Sequence, residues 1–281
     1  MCRILVIMGS SDRLLGVRPQ LVQALIRSSE RDPHGYSLFG QGEFSHRDGW
    51  GFVRAVVSGE AVAGLYVGKS LKPFYEDDDA RRLAEEAIPS GVAMAEMIHV
   101  RAASRGMPIN IFSTHPAEAI TGDGYRLFLI HNGTVDKKAI LDRLGINPGS
   151  PYAEIYNDTF FLAQLMARTM GRDIDERVFE EAARYVKTAL NIGLILVKDR
   201  EIQVGVGSLY RGDTRERRNY YRLYRSSIDG EAYIYSSSTL VDFYKPAGID
   251  RWEEIPNGDF EAFRISGNKV EKIFSTRLPP I

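Results

Sequence analysis

Cysteine occurs once in this 281-residue chain, at position 2. Removal of Met1, expected because the cysteine side chain is small, would put a thiol and a free α-amine on one residue. An α-amine titrates at roughly 7.7–8.0 and a thiol at roughly 8.5, so near neutrality the amine can take the thiol proton without a separate histidine. Nucleophile and base then belong to one amino acid, as where an N-terminal amine activates its own side chain. A lone cysteine heading a strand is more often a small buried hydrophobe. Chemistry at Cys2 therefore needs partners elsewhere in the chain.

A first partner is the stretch Phe128-Leu129-Ile130-His131-Asn132-Gly133, an apolar run ending in a side-chain amide and the least hindered backbone N–H. Attack on an amide builds a tetrahedral oxyanion, and donors from Asn132 and Gly133 could bind it from adjacent positions. An ordinary Asn-Gly turn has the same letters, so this pair too gains meaning only in company. Other apparent signals are weaker. Ile4–Met8 runs into Gly9-Ser10-Ser11 without a GxGxxG or GxxxxGK[ST] pattern, and Gly205, Gly207 and Gly212 miss the dinucleotide spacing. His46, His99, His115 and His131 fall in no metal-ligand spacing, so no metal is expected. The sequons at Asn132 and Asn157 read as coincidence.

The elements that must position these residues alternate between paired strands and grouped helices. Apolar β-rich runs occur at Ile4–Met8, Gly51–Val57, Ala61–Val67, Val92–His99 and Arg126–His131, and again at Ile192–Val197, Ile202–Val206, Tyr220–Arg225, Ala232–Ser236 and Phe260–Ile265. Turn signals such as Ser58-Gly59-Glu60 and Asp229-Gly230 join neighbours as hairpins, which predicts antiparallel pairing. Helical spacing predicts helices at Pro19–Glu30, Asp77–Ile88, Asp136–Leu144, Ile155–Met170 and Asp175–Leu190. Strands in pairs with helices in blocks argue for an α+β fold of two mostly antiparallel sheets covered by helix layers. No linker or composition break divides residues 1–281, so one domain is expected. Arg211–Arg225, which mixes arginines with Tyr220, Tyr221 and Tyr224, reads as a solvated loop and edge strand.

Composition narrows the function class. Thirty-six basic and 37 acidic residues leave a formal charge of −1, which gives no global field for nucleic acid or an anionic membrane. Ile4–Met8 is too short for a signal peptide or a membrane span. A cytoplasmic protein acting on a small molecule is expected, and a single thiol suits a reducing compartment.

The chain resembles the class II glutamine amidotransferases in an ordered series of short stretches. These are Met1-Cys2-Arg3, His46-Arg47-Asp48-Gly49-Trp50-Gly51, His99-Val100-Arg101-Ala102-Ala103-Ser104, Ser113-Thr114-His115-Pro116, His131-Asn132-Gly133 and Asn157-Asp158-Thr159. The Asp-Gly-Trp-Gly form and the Met-Cys-Arg opening look most like the stand-alone branch, which includes γ-glutamyl amidases. Arg3 and Arg105 depart from the synthase members, where glycine and histidine are usual.

The resemblance implies the four-layer αββα sandwich of N-terminal nucleophile hydrolases. It further implies Cys2 as nucleophile, Asn132 and the Gly133 N–H as oxyanion hole, and Arg101 with Ser104 on the substrate α-carboxylate. Asp158 would take the α-ammonium, while Trp50 and His115 would shape the pocket's loop or wall. The implied substrate is glutamine or a γ-glutamyl compound, with no cofactor. Ammonia would pass to a separate accepting protein, or a γ-glutamyl bond would be hydrolysed for its own sake. A glutamine-binding or assembly subunit that no longer catalyses is the alternative from another class.

Overall fold

The computed structural model describes residues 2–40 and 42–281; Met1, and with it the expected removal of that residue, lies outside the described residues. Among the described residues, thirteen strands form two sheets whose pairs are all antiparallel. Sheet one contains β1 (Arg3–Ser10), β2 (Trp50–Ser58), β3 (Ala61–Ser70), β4 (Ala93–Val100), β9 (Leu223–Ile228), β10 (Ala232–Ser237) and β11 (Glu253–Glu254). Sheet two contains β5 (Ala117–Ile120), β6 (Arg126–Val135), β7 (Val186–Val197), β8 (Ile202–Gly207), β12 (Asp259–Ser266) and β13 (Lys269–Arg277). Their spatial orders are β11-β9-β10-β1-β4-β2-β3 and β13-β12-β8-β7-β6-β5.

Side-chain alternation along the strands sorts the core into layers. On β1, Ile4, Val6 and Met8 face sheet two, where they pack with Phe128 and Ile130 of β6. Leu5 and Ile7 point the other way, against α2 (Arg18–Glu30) and α4 (Asp78–Glu85). On β6, Leu127 and Leu129 face α7 (Asp158–Thr169), with α5 (Lys137–Leu144) and α8 (Glu176–Ala183) completing that outer layer. The result is helix, sheet, sheet, helix, the four-layer αββα arrangement. Cys2 and Asn132 keep the parity of Ile4 and Ile130, which directs both side chains into one end of the layer between the sheets.

Charge is buried on the helix side of sheet one. Glu96 of β4 is fully buried and accepts from Arg18 at 2.7 and 3.0 Å and from Arg54 at 3.0 and 2.7 Å. Burial alone would raise its pKa, but the two guanidinium groups outweigh that and hold the carboxyl below its ordinary range. Since Arg18 begins α2, this cluster bolts the helix layer to the sheet. No helix among the described residues is long and apolar enough to cross a membrane.

Several elements differ from the sequence expectation. The helix expected over Asp175–Leu190 stops at Ala183, and Val186 already belongs to β7. Both faces of β7 are buried around Ala189 to Leu196, so its sequence lacks the polar alternation that marks a half-exposed strand. The strand expected over Tyr220–Arg225 begins only at Leu223, because Tyr220 and Tyr221 end α9 (Arg215–Tyr221), which Thr214 caps. Those two tyrosines are buried rather than part of a solvated loop. The helix expected over Ile155–Met170 is broken at Tyr156-Asn157, between α6 (Pro151–Ile155) and α7. Among the described residues α1 (Ser11–Leu14), α3 (Pro33–Phe39), β5, β11 and β13 were likewise not anticipated.

Substituting Glu96→Gln should leave two buried guanidinium groups facing a neutral amide and cost about 3–5 kcal/mol of stability, as for removing one partner of a buried ion pair. Urea unfolding measures this, and a loss under about 1 kcal/mol would contradict the role assigned to the cluster.

Candidate active site

The sheets meet chemically at Cys2. Its backbone nitrogen donates to Asn132 Oδ1 at 3.0 Å, across 130 residues of sequence. That donor dictates how the Asn132 amide is turned, and its Nδ2 is buried with no partner among the described residues. An orphaned buried N–H costs about 1–3 kcal/mol and persists where a ligand is to satisfy it. Gly133 follows at a point of close approach, where a Cβ would lie 2.0 Å from the Ala189 carbonyl oxygen. Only glycine fits there without moving β6 against β7.

Arg101 leaves the end of β4 as a buried residue whose Nη2 donates to the Pro108 carbonyl at 2.7 Å, while Nη1 has no partner among the described residues. Its own backbone is pinned by the Asp48-Gly49 turn. The Arg101 N–H donates to Gly49 O and the Asp48 N–H to Arg101 O, each at 2.9 Å, and the Asp48 carboxylate accepts from Ala103 N–H at 2.7 Å. The turn needs its glycine, since Gly49 has φ 101° and a Cβ there would meet the Ser70 carbonyl at 2.6 Å. The pattern Asp48-Gly49 thus works as a bracket for the arginine loop.

Asp158 opens α7 next to its cap, Asn157, whose Oδ1 accepts from Phe160 N–H at 2.9 Å. The Asp158 carboxylate is buried and accepts from the Val135 and Thr159 N–H groups at 3.0 and 2.9 Å. Cys2, Arg101, Ser104, His115, Gly133 and Asp158 line a single cleft. Larger clefts lie beside Arg225 and Lys198, and neither is lined by a thiol. Trp50 does not join the cleft. It belongs to the helix-side core, packs tilted against Phe74 and donates from Nε1 to Asp77 Oδ2 at 3.0 Å. Its expected place in the pocket wall is therefore corrected, because strand parity turns Trp50 away from the inter-sheet face.

Three buried histidines back the cleft. Strand β5 begins at Ala117, so the His131 backbone on the neighbouring strand has no ladder partner there and two imidazoles take over. His99 Nε2 lies 3.2 Å from His131 O and 2.9 Å from His115 Nδ1, and His131 N–H points to His115 Nδ1 at 3.4 Å. The tautomer that fits has His99 Nε2–H donating and His115 Nδ1 accepting. His131 itself reaches Thr159 Oγ1 and Ala189 O, both at 3.0 Å. Burial, followed by the charge of Arg101, lowers the His99 pKa to about 3. Burial and then the neighbouring His99 push His115 well below the ordinary value. Both rings are neutral at neutral pH and act as dry scaffolding behind the Asn132 peptide.

His99, Asp48 and Asn157 all stand in motifs recognised in the sequence, but none of the three was given a part there. Strand parity was the available signal, since residues 93, 95, 97 and 99 share the inter-sheet face with Arg101 beyond them.

No protein-family model and no curated protein matches the sequence. Among solved structures, the chain is similar to the allosteric regulatory enzyme of purine biosynthesis, with 17% identity and a TM-score of 0.58. It is similar also to glutamine phosphoribosylpyrophosphate amidotransferase from B. subtilis complexed with ADP and GMP, with 18% identity and a TM-score of 0.54. The chain shares their fold. Both alignments cover 98% of this chain and 49% of the solved one, so it spans about half the length of either enzyme.

Neutral buried histidines have a measurable consequence. As pH falls below about 6.5, the unfolded chain binds protons that folded His99 and His115 refuse, so stability present above that pH is lost below it. Each ring contributes at most about 1.4 kcal/mol per pH unit. Thermal unfolding between pH 7 and 5 should therefore show a falling midpoint, and a flat profile over that range would contradict neutral rings in the native state.

Proposed function

We propose that this chain is a class II glutamine amidotransferase-type amidohydrolase, using residues 1–281 as one domain and Cys2 as its nucleophile. The observation that carries this reading is the bond from the Cys2 nitrogen to Asn132 Oδ1, which leaves the Asn132 Nδ2 donor buried with no partner among the described residues. One side chain thereby holds the base and presents the oxyanion donor.

The reaction follows from these parts. With Met1 removed, the α-amine takes the Cys2 proton and the thiolate attacks the side-chain carbonyl carbon of glutamine. Negative charge on the carbonyl oxygen is met by Asn132 Nδ2 and the Gly133 N–H. Collapse breaks the C–N bond, and the protonated α-amine returns its proton to the leaving nitrogen, which departs as ammonia. Water, deprotonated by the same amine, then cleaves the thioester to give glutamate and free thiol. Arg101, with Nη1 unclaimed, suits the α-carboxylate, with Ser104 assisting from the cleft rim. Asp158, in the same cleft, suits the α-ammonium, and opposite charges at the head group would aim the amide at the thiol. His115 supports the wall.

The leaving group decides between ammonia transfer to a separate acceptor protein in the cytoplasm and hydrolysis of a γ-glutamyl compound. Glutamate release from glutamine and from γ-glutamyl dipeptides, compared between the native protein and Cys2→Ala, separates these. The native protein should act on one class and Cys2→Ala on neither. A fully processed native protein that turns over neither, and takes no adduct at residue 2 from a reactive glutamine analogue, would leave a binding or assembly role in its place.

Asn132→Ala should lower kcat by about 10²–10³, the usual effect of losing one oxyanion donor. Arg101→Lys should instead raise KM by about 10-fold or more, equivalent to a lost charged hydrogen bond. Steady-state kinetics on the accepted substrate check both, and the opposite split would reverse the two assignments. Protein that keeps Met1, identified by intact mass, should be inactive because its α-amine has become a peptide nitrogen.

A further inference from the structure

Next to Cys2, and outside the lining of the cleft, lies a buried polar cluster that the proposed chemistry does not use. Arg3 is fully buried and gives Nε and Nη2 to the two oxygens of Asp32 at 2.7 and 3.0 Å. Its remaining nitrogen, Nη1, donates to the Tyr220 carbonyl at 2.7 Å, and the guanidinium sits 3.9 Å above the Tyr220 ring. Asp32 also accepts from Gly35 N–H at 3.1 Å, Thr239 Oγ1 at 2.6 Å and His46 Nε2 at 2.8 Å. Tyr220 closes the circuit by directing its hydroxyl at the Cys2 carbonyl, 3.4 Å away.

Burying such a pair is expensive, and an apolar substitute of similar volume is often at least as stabilising. Stability alone therefore does not account for it. The location does. Chain ends fray unless they are tied down, and a nucleophile that becomes residue one after processing is held by the chain from one side only. The cluster fastens the next residue to segments from the α2–α3 junction, the loop at His46, the end of α9 and the start of the turn after β10. Burial alone would raise the Asp32 pKa, but Arg3 and then the His46 hydrogen bond outweigh it, so the carboxylate stays charged far below its ordinary range.

We propose that Asp32 is a positioning residue, which through Arg3 and Tyr220 holds the Cys2 backbone so that amine and thiol keep the angle that reaction needs. It touches no reacting atom. The proposal rests on Cys2 being the nucleophile, and it separates holding the terminus from binding the substrate.

Two variants test it, Asp32→Asn and Tyr220→Phe, the latter keeping the ring beneath Arg3 while removing the hydroxyl. Both should lower kcat by about 10-fold or more with KM within twofold, since a misplaced reacting group costs rate rather than affinity. Mass-mapped alkylation of Cys2 by iodoacetamide, well below the unfolding temperature, should accelerate as the terminus loosens. A merely structural role would move neither quantity in folded protein. Folded variants with native kcat and native alkylation rate would overturn the proposal, and Tyr220→Phe decides alone if Asp32→Asn does not fold. If the native protein turns over no glutamyl substrate, the alkylation arm still tests the clamp, so the two ideas can fail separately.

Discussion

The site depends on one short bridge between sheets, from the Cys2 nitrogen to the Asn132 side-chain oxygen. Around it, strand parity brings in whatever else the cleft contains. β1 and β6 lie in different sheets, and their even-numbered residues interdigitate all along the inter-sheet layer. At the end of that layer the apolar sequence stops and polar residues take the same geometric positions. A site made by continuing core parity inherits the rigidity of the core.

Paired buried charges lie away from the cleft, as at Glu96 with Arg18 and Arg54 or at Asp32 with Arg3. Arg101, whose Nη1 has no partner among the described residues, lines it. The histidines between these regions are neutral, so they satisfy the β6 backbone without adding a field of their own near the thiol. Backbone that would otherwise lie open at a strand edge is thereby closed without another strand.

Much of this was legible in the sequence. Hairpin turns and grouped amphipathic helices led to the paired sheets and helix layers, and of the residues singled out for chemistry Cys2, Arg101, Ser104, His115, Gly133 and Asp158 line one cleft, while Asn132 reaches the Cys2 nitrogen and Trp50 lies in the helix-side core. The failures have physical causes. β7 is buried on both faces, so its spacing runs on from α8 as if the helix continued. β13 is an exposed edge strand whose Lys269-Val270-Glu271-Lys272 opening lacks the apolar run that marks a core strand. Helix α3 did carry a signal in Asp32-Pro33, a capping residue before a proline at the first turn. The Arg3–Asp32 pair could not be read at all, because nothing local tells a charged residue that its partner lies 29 positions away.

The place of β1 within sheet one bears on how the protein comes into being on the ribosome. Its neighbours are β4 and β10, so β1 waits for residues 232–237 before its second edge is bonded. Arg3 likewise waits for Tyr220, 217 residues downstream. Long-range closure of this kind is slow and comes late. The surroundings of Cys2 are thus complete only once residues 220–237 have been made, and a nascent fragment that stops short of them carries the Cys2 thiol without its setting.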